Sequence, residues 1–471
     1  LKNAKSYEEY EKAALALDYL EGRYLWKADA VSPHYDSELV QVRLDELRLA
    51  RSSNNFERVL FLLRTTLSRQ LGDMGNPKLY AYTHTGTKFL IEEYIEEVRG
   101  CFYYLMEQVK LRPDIDTRSV LNALLKTRQS FGRTALLLSG GGTLGMMHIG
   151  VVTCLWESRL LPRIISGSSA GAIVAAIVCT HTDAEIPGLL TKFPFGALDV
   201  FQDGKTPETP LLRLGRFLKH GVFMDIGYLR GVMAEWMGDM TFGEAFNKTR
   251  RILNITVSSS SVYEMPRLLN HITAPNVIIW SAVAASCSVP LVFAGSPLLA
   301  KDFLTGEPVV WDEGSNKCID GSIEGDLPTT RLSELFNVDH FIVSQVNPHV
   351  TIFLPKATHD LQSAHWLPRM VVDEVLHYTD VLMALGVAPS FAQRLAGILK
   401  QRYIGDITIL PQKPLLAGLY RLLTNPDPEF MLDASARGQY ATWEQLPIIR
   451  NHLQIEMTID NTLHALRLAL V

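Results

Sequence analysis

The chain has 471 residues, of which 47% are apolar and 20% charged, values that exclude a disordered protein and predict a globular one of about three domains. Its net charge of −5 lacks the basic footprint of nucleic-acid binding, so no nucleic-acid partner is expected. The five cysteines are scattered and form no CxxC pair, which argues against a disulfide framework or a structural zinc site and favours a reducing compartment.

The first 132 residues have a helical periodicity. Ser6 and Glu9 form a capping box ahead of an apolar stripe, and further helices are predicted at residues 55–71, 88–109 and 117–131, the last ended by Gly132. No run of 18 apolar residues occurs, so no transmembrane helix is expected; the first residue is Leu1, which leaves open that the chain is a fragment. We interpret this region as a helical accessory layer, with a surface for a partner or a membrane as the alternative.

From residue 133 onward, strands and helices alternate. Strands are predicted at residues 134–138, 163–166, 252–258, 277–279 and 341–344, and a helix at 143–157. Alternation with tight turns predicts an α/β fold with a mostly parallel central sheet and helices on both faces. After about residue 350 the pattern is mainly helical again, apart from a short strand at 406–410.

The stretch from Gly167 to Gly171, with the sequence GSSAG, is the strongest functional signal. It joins an apolar strand to an apolar helix, so Ser169 is expected on a sharp turn, with Gly167 and Gly171 allowing close packing around it. The first N–H groups of the helix would face any negative charge that forms at the serine. These features suit a hydrolase nucleophile; the alternative is an ordinary helix start built from small residues.

A glycine loop precedes this turn. The sequence GGGTLG begins at Gly140 and matches GxGxxG, but a dinucleotide site would need an acidic residue at the end of the next strand, where Ser166 stands. Two successive strand–turn–helix units would instead place the loop beside Ser169. The N–H groups of Gly141 and Gly142 are therefore expected to form an oxyanion hole.

The base that activates the serine has two candidate classes. Asp320 and Gly321 follow an apolar strand pattern inside the α/β region, although an Asp-Gly pair alone is often only a turn. A Ser-Asp-His triad is the other possibility, with the downstream histidines His340, His349, His359, His365 and His377 as candidates.

In their order and spacing, the glycine loop, the serine turn and the Asp-Gly pair resemble the patatin-like phospholipase family. The resemblance implies an α/β/α sandwich and a Ser–Asp dyad without a catalytic histidine or a cofactor. It assigns Ser169 as the nucleophile, Asp320 of the Asp320–Gly321 pair as the general base, and the oxyanion loop to Gly140, Gly141, Gly142 and Gly145. The family often has Arg or Lys where Leu144 stands, and Gly or Ala where Ser322 stands.

Those departures resemble one branch, the fungal and plant triacylglycerol lipases of lipid droplets. The resemblance implies an accessory domain at 1–132, a catalytic domain at 133–348 and a mainly helical region at 349–471. It also implies hydrolysis of triacylglycerol during neutral-lipid mobilisation, at the cytoplasmic side of a lipid droplet or endoplasmic reticulum membrane, with no metal. A phospholipase or lysophospholipid acyltransferase on the same dyad is one alternative, and a catalytically silent lipid-droplet scaffold is another.

Three further patterns have weaker support. His148 lies near the glycine loop and is expected to pack or cap there rather than to join the catalysis. His220 and Asp225 match the HxxxxD pattern of glycerolipid acyltransferases. Two apolar segments, at 193–198 and 414–423, are candidates for contact with lipid, with ordinary core packing as the alternative.

Overall fold

A computed structural model of the protein describes residues 1, 4–192, 200–201, 223–259, 267–288, 292–311, 318–320, 327–347, 377–378, 404–410 and 424–470. Its N-terminal region is helical. The helices are α1 (Tyr7–Leu20), α2 (Arg23–Ala28), α3 (Ser37–Ser52), α4 (Phe56–Thr65), α5 (Lys78–Ala81), α6 (Phe89–Leu111) and α7 (Thr117–Phe131).

Four of these helices begin where a side chain accepts hydrogen bonds from free backbone N–H groups. Ser6, Asp36, Asn55 and Asp116 cap α1, α3, α4 and α7. The apolar faces of α3, α4, α6 and α7 bury one cluster that includes Val40, Leu63, Ile95 and Leu124. The region therefore packs around a hydrophobic cluster distinct from the two that flank the sheet.

A mostly parallel sheet follows. Its strands are β1 (Arg133–Leu138), β2 (Ile164–Gly167), β3 (Ile252–Ser259), β4 (Arg267–Leu269), β7 (Cys318–Asp320), β8 (Val338–Ser344) and β9 (Ile407–Ile409), while β5 (Leu299–Lys301) and β6 (Pro308–Val310) form a separate hairpin. The order is β4-β3-β2-β1-β8-β9, with β4 and β7 both antiparallel to β3 and the other neighbours parallel.

Helices cover both faces of this sheet. They are α8 (Met147–Glu157), α9 (Ala170–Thr180), α10 (Ile186–Lys192), α11 (Ile226–Met237), α12 (Phe242–Thr249), α13 (Ile279–Ser286) and α14 (Thr329–Phe336). Alternate residues of β1 show the two cores: Leu136 lies in the cluster that includes α8 and α9, and Leu137 in the cluster that includes α14. A strand buried on both faces explains the unbroken apolar run of β1.

The last helix, α15 (Pro428–Ala469), has 42 residues and joins the two parts of the molecule. Its first half packs on α8, and its second half contributes Ile455, Ile459 and Leu463 to the core of the N-terminal helices. The N-terminal helices are thus held against the sheet by an element that comes about 300 residues later in the chain.

The predicted α/β class, the mostly parallel sheet and the helical flanks are confirmed. Three elements differ from their predictions, one of them the start of the helix predicted at 143–157, where Gly142–Met146 form a short 3₁₀ helix. The helix predicted at 55–71 ends at Thr65, where the hydroxyls of Thr65 and Thr66 bind carbonyls one turn earlier. The strand predicted at 277–279 is wrong: Val277 and Ile278 form isolated bridges, and α13 starts at Ile279, so tertiary packing overrides the β-branched run.

Candidate active site

Ser169 lies on a strained turn between β2 and α9. Its backbone has φ 51° and ψ −123°, a combination that a residue with a side chain rarely adopts and that costs on the order of 1–3 kcal/mol. The side chain is mostly buried, with 7% of its surface exposed. Strain of this kind persists only where the surroundings hold it, which makes the turn a candidate functional position.

Ser286, at the end of α13, holds the turn. Its hydroxyl accepts a hydrogen bond from the Ser169 N–H at 3.0 Å and donates to the carbonyl of Thr256 in β3 at 2.8 Å. Ser286 is fully buried. The sequence patterns did not single out this residue; the available signal was a serine, one of two, in an otherwise apolar run of helical residues.

Close contacts explain the glycines around Ser169. A Cβ atom built on Gly171 would lie 2.2 Å from the carbonyl oxygen of Leu138, and one on Gly167 would lie 2.4 Å from that of Gly171. A Cβ on Gly145 would lie 2.4 Å from the Cβ of Ala170, the first residue of α9. The structure therefore brings the glycine loop into direct contact with the serine turn.

The glycine loop follows β1 directly. Gly140 is buried, Gly141 and Gly142 are partly exposed, and residues Gly142–Met146 form a short 3₁₀ helix where the sequence predicted the first turn of an α-helix. Gly142 has φ 56°, a left-handed conformation that glycine adopts without strain. Because β1 and β2 are parallel neighbours, this loop and Ser169 lie at the same edge of the sheet.

His148 forms hydrogen bonds to Ser139, just before the glycine loop, and to Ser344 of β8. Its Nε2 lies 2.9 Å from the carbonyl oxygen of Ser139, which can only accept, so Nε2 carries the proton and Nδ1 accepts from the Ser344 hydroxyl at 2.8 Å. Burial lowers the pKa of His148 to about 4, although its hydrogen bond to Ser139 acts in the opposite direction. The neutral ring is fully occupied by structural hydrogen bonds, as expected for a packing role.

Asp320 is the last residue of β7, and its backbone lies beyond the carboxyl end of β2. Within β3, Val257 pairs with Arg267 of β4 on one side and with Asp320 of β7 on the other. The side that carries β7 is also the side of β2, where Gly167 pairs with Ile255 of β3. The two pairing positions on β3 are two residues apart, which is about 7 Å. The serine turn and the end of β7 therefore meet at one place. The side chain of Asp320, and all of Gly321, lie outside the described parts of the structure.

Among the histidines proposed for a triad, His340 lies elsewhere. It is paired with Thr134 near the amino end of β1, whereas Ser169 lies beyond the carboxyl end of β2. His377 is exposed, and His349, His359 and His365 lie outside the described residues.

The structure describes only one of the remaining candidate residues and segments. Asp225 caps α11 by accepting from the N–H of Gly227 at 2.8 Å, a role that already explains its position, while His220 lies outside the described residues. The apolar segments 193–198 and 414–423 lie outside them as well.

Within the described ranges, no cluster of three or more His, Cys, Asp or Glu residues is arranged to hold a metal ion. None of the helices in those ranges is both long and apolar enough to cross a membrane.

Comparison with known proteins gives two family matches and close relatives. A model described as "Patatin-like phospholipase" matches residues 136–332, and one described as "Domain of unknown function (DUF3336)" matches residues 1–129. The chain is 43% identical to Triacylglycerol lipase 4 of Saccharomyces cerevisiae, over 98% of this chain and 52% of the relative. It is 41% identical to Triacylglycerol lipase ptl3 of Schizosaccharomyces pombe, over 98% and 95% respectively.

A plant protein, Triacylglycerol lipase SDP1L of Arabidopsis thaliana, is 37% identical over 98% of this chain and 57% of its own length. The chain thus spans about half the length of the Saccharomyces and Arabidopsis relatives and nearly the full length of the Schizosaccharomyces one.

Proposed function

Because the chain belongs to the patatin-like phospholipase family, in the branch of fungal and plant triacylglycerol lipases, we propose that it hydrolyses triacylglycerol esters through an acyl-enzyme intermediate on Ser169. One observation carries the proposal for this chain: Ser169 is held on a strained turn in contact with the glycine loop. The relatives whose names state a triacylglycerol lipase support the substrate class.

In the acylation step, the Ser169 hydroxyl attacks the ester carbonyl carbon while the Asp320 carboxylate takes its proton. The oxyanion of the tetrahedral intermediate would face the N–H groups of Gly141 and Gly142, and the start of α9 adds further positive charge. When the intermediate collapses, the diacylglycerol alkoxide leaves and takes the proton from Asp320. The acyl group remains on Ser169.

In the second step, water attacks the acyl carbonyl and gives a proton to the Asp320 carboxylate. Collapse of the second intermediate returns that proton to Ser169 and releases the fatty acid. A carboxylate in water is a weak base for a serine hydroxyl, so this dyad requires Asp320 to be largely shielded from water and within hydrogen-bond reach of Ser169. Gly167, two residues before Ser169, and Asp320 both pair with the same edge of β3, which supports that arrangement.

We further propose that residues 133–348 form the catalytic domain, with an accessory domain at 1–132 and a mainly helical region at 349–471. We propose a cytoplasmic-side lipid droplet or endoplasmic reticulum surface as the site of action. The family match at residues 1–129 and the separate core of the N-terminal helices support the accessory domain.

The test compares wild type, Ser169→Ala and Asp320→Asn on three substrates: triacylglycerol, phospholipid, and lysophosphatidic acid with acyl-CoA. We expect each substitution to lower triacylglycerol hydrolysis at least about 1000-fold, since it removes the nucleophile or its base. Ser168→Ala, which changes the neighbouring hydroxyl, is the matched control and should retain most activity.

Full hydrolysis by either variant would refute the dyad. Preferred turnover of phospholipid, or transfer to lysophosphatidic acid, would replace the lipase assignment by one of the two alternatives on the same dyad. Inactivity of the wild type on all three substrates would favour the lipid-droplet scaffold.

A further inference from the structure

The β5–β6 hairpin carries an exposed apolar tip. Phe303 is 85% exposed and Leu304 is 96% exposed, the two highest values for large hydrophobic side chains among the described residues. Val309 and Val310 on the returning strand are about half exposed. Adjacent large apolar side chains in water carry a free-energy penalty that contact with a partner would remove.

The tip is held in one conformation by its own hydrogen bonds. The Asp302 carboxylate accepts from the backbone N–H groups of Leu304 at 2.9 Å and Thr305 at 2.8 Å, and from the Thr305 hydroxyl at 3.1 Å. Backbone bonds between Asp302 and both Gly306 and Glu307 close the turn. A loop already fixed in this way loses little conformational entropy when its two apolar side chains are buried.

The other end of the hairpin is fixed to the element that supports Ser169. The N–H of Ile278 donates to the carbonyl of Leu299 at 2.8 Å, and the Ser281 hydroxyl accepts from the Leu299 N–H at 3.0 Å. Ile278 is the N-cap of α13, an eight-residue helix that ends at Ser286, the residue bonded to the Ser169 N–H. A helix of this length spans about 12 Å, so the tip and the serine turn are coupled through one short rigid element.

The size of the tip favours lipid over protein. A large aromatic side chain covers about 150–250 Å², so two neighbouring side chains offer much less than the roughly 800 Å² that each partner buries in a stable protein–protein interface. Insertion into hydrocarbon has no such minimum area, because each side chain contributes by leaving water.

The charges around the tip favour an uncharged surface. Asp302 and Glu307 flank the two apolar residues, and the ammonium group of Lys301 is already paired with Glu244 at 2.8 Å. Anionic membranes attract clusters of free basic residues, which this tip lacks. The combination of exposed apolar side chains and acidic neighbours suits a lipid surface without net charge.

We propose that the β5–β6 hairpin inserts Phe303 and Leu304 into the surface of a neutral-lipid droplet covered by zwitterionic phospholipid. The inference rests on the proposed function, since triacylglycerol, the proposed substrate, separates from water as droplets. The hairpin would thus attach the protein to the lipid that holds its substrate, and it is a different segment from the apolar stretches at 193–198 and 414–423.

The experiment measures flotation of the protein with triolein droplets coated with phosphatidylcholine. The Ser169→Ala protein is used so that the lipid is not consumed. Changing Phe303→Ser and Leu304→Ser in that protein should lower the partition constant at least about 10-fold for each substitution. The matched control is Leu49→Ser on α3, a side chain 70% exposed in another part of the molecule, which should leave binding unchanged. Phe303→Trp should retain it.

A separate measurement distinguishes this proposal from the proposed function. With Ser169 intact, the tip variant should hydrolyse dissolved p-nitrophenyl butyrate at the wild-type rate and lose activity only on droplets. If the wild type hydrolyses neither substrate, the proposed function fails while flotation still tests the tip. Absence of flotation by the Ser169→Ala protein, equal flotation of the tip variant, or binding that requires anionic phospholipid would overturn the insertion proposal.

Discussion

At the residue scale, the Ser286 hydroxyl is the group that satisfies the N–H of the strained Ser169. In Ser286→Ala, the Ser169 N–H and the Thr256 carbonyl would both lose a buried partner, and an unsatisfied buried group costs about 1–3 kcal/mol. We expect kcat on a dissolved ester to fall about 10- to 100-fold with little change in KM, because a displacement near 1 Å has effects of this size.

Two further variants separate positioning from general damage. Ser286→Thr keeps the hydroxyl and should restore much of the lost kcat. Ser288→Ala removes a buried hydroxyl whose hydrogen bond, among the described residues, is to the carbonyl of Ala284, so activity should remain near wild type. Equal losses in the Ser286→Ala and Ser288→Ala proteins would contradict a positioning role for Ser286.

At the element scale, α8 and α15 are packed backbone against backbone. A Cβ built on Gly438 would lie 2.0 Å from the carbonyl oxygen of Met147, and one on Gly150 would lie 1.8 Å from that of Ser435. Gly438→Ala should therefore force the helices apart and lower the free energy of unfolding by about 1–3 kcal/mol, as measured by urea denaturation.

Gly231 is the matched control for this helix crossing. It lies inside α11 and has no atom within 4 Å of a built Cβ, so Gly231→Ala should leave stability unchanged or raise it by about 0.4–1 kcal/mol. A Gly438→Ala protein as stable as the Gly231→Ala protein would show that α15 can shift on α8 without cost.

At the scale of the whole molecule, a buried network of hydrogen bonds connects α15, β8 and β1. The Thr134 hydroxyl donates to Glu456 at 2.5 Å, so it accepts from His340 Nδ1 at 3.2 Å, and His340 Nε2 then accepts from His452 Nδ1 at 2.9 Å. The His340 ring is neutral in this arrangement, since only its Nδ1 carries a proton. Arg69 and Arg128 form ion pairs with the same Glu456 carboxylate, which connects the N-terminal helices to this network.

The two buried histidines of this network predict that the protein loses stability in mild acid. Burial, followed by the charge of Arg69, lowers the pKa of His452 to about 4 and that of His340 well below its usual range. The unfolded protein takes up protons near pH 6.5, whereas the folded protein does so only near pH 4 at His452. Stability is therefore full above about pH 6.5 and decreases as the pH falls toward 4, by about 2 kcal/mol at pH 5 for His452 alone.

Urea unfolding at pH 7.5 and pH 5.0 checks this prediction. His452→Asn keeps a donor toward His340 but cannot be protonated in this range. The difference in the free energy of unfolding between the two pH values should therefore shrink by about the contribution of His452. An identical pH dependence in wild type and variant would contradict it.

The sequence was sufficient where short patterns have a local physical cause. The strand–turn–helix around Ser169, the glycine loop before it and the mostly parallel sheet all follow from apolar periodicity and from glycines at tight turns. The nucleophile and general-base roles of Ser169 and Asp320 remain predictions of the sequence and of the family to which the chain belongs.

Tertiary structure alone decided the features that depend on residues far apart in the chain. Three features join segments more than 60 residues apart: the bond from the Ser169 N–H to Ser286, the packing of α15 on both parts of the molecule, and the edge of β3 shared by Gly167 and Asp320. The exposed tip at Phe303 and Leu304 belongs here too, because a pair of apolar residues has the same sequence pattern whether it is buried or exposed. Periodicity reports local geometry, whereas burial and long-range pairing depend on which surfaces the folded chain brings together.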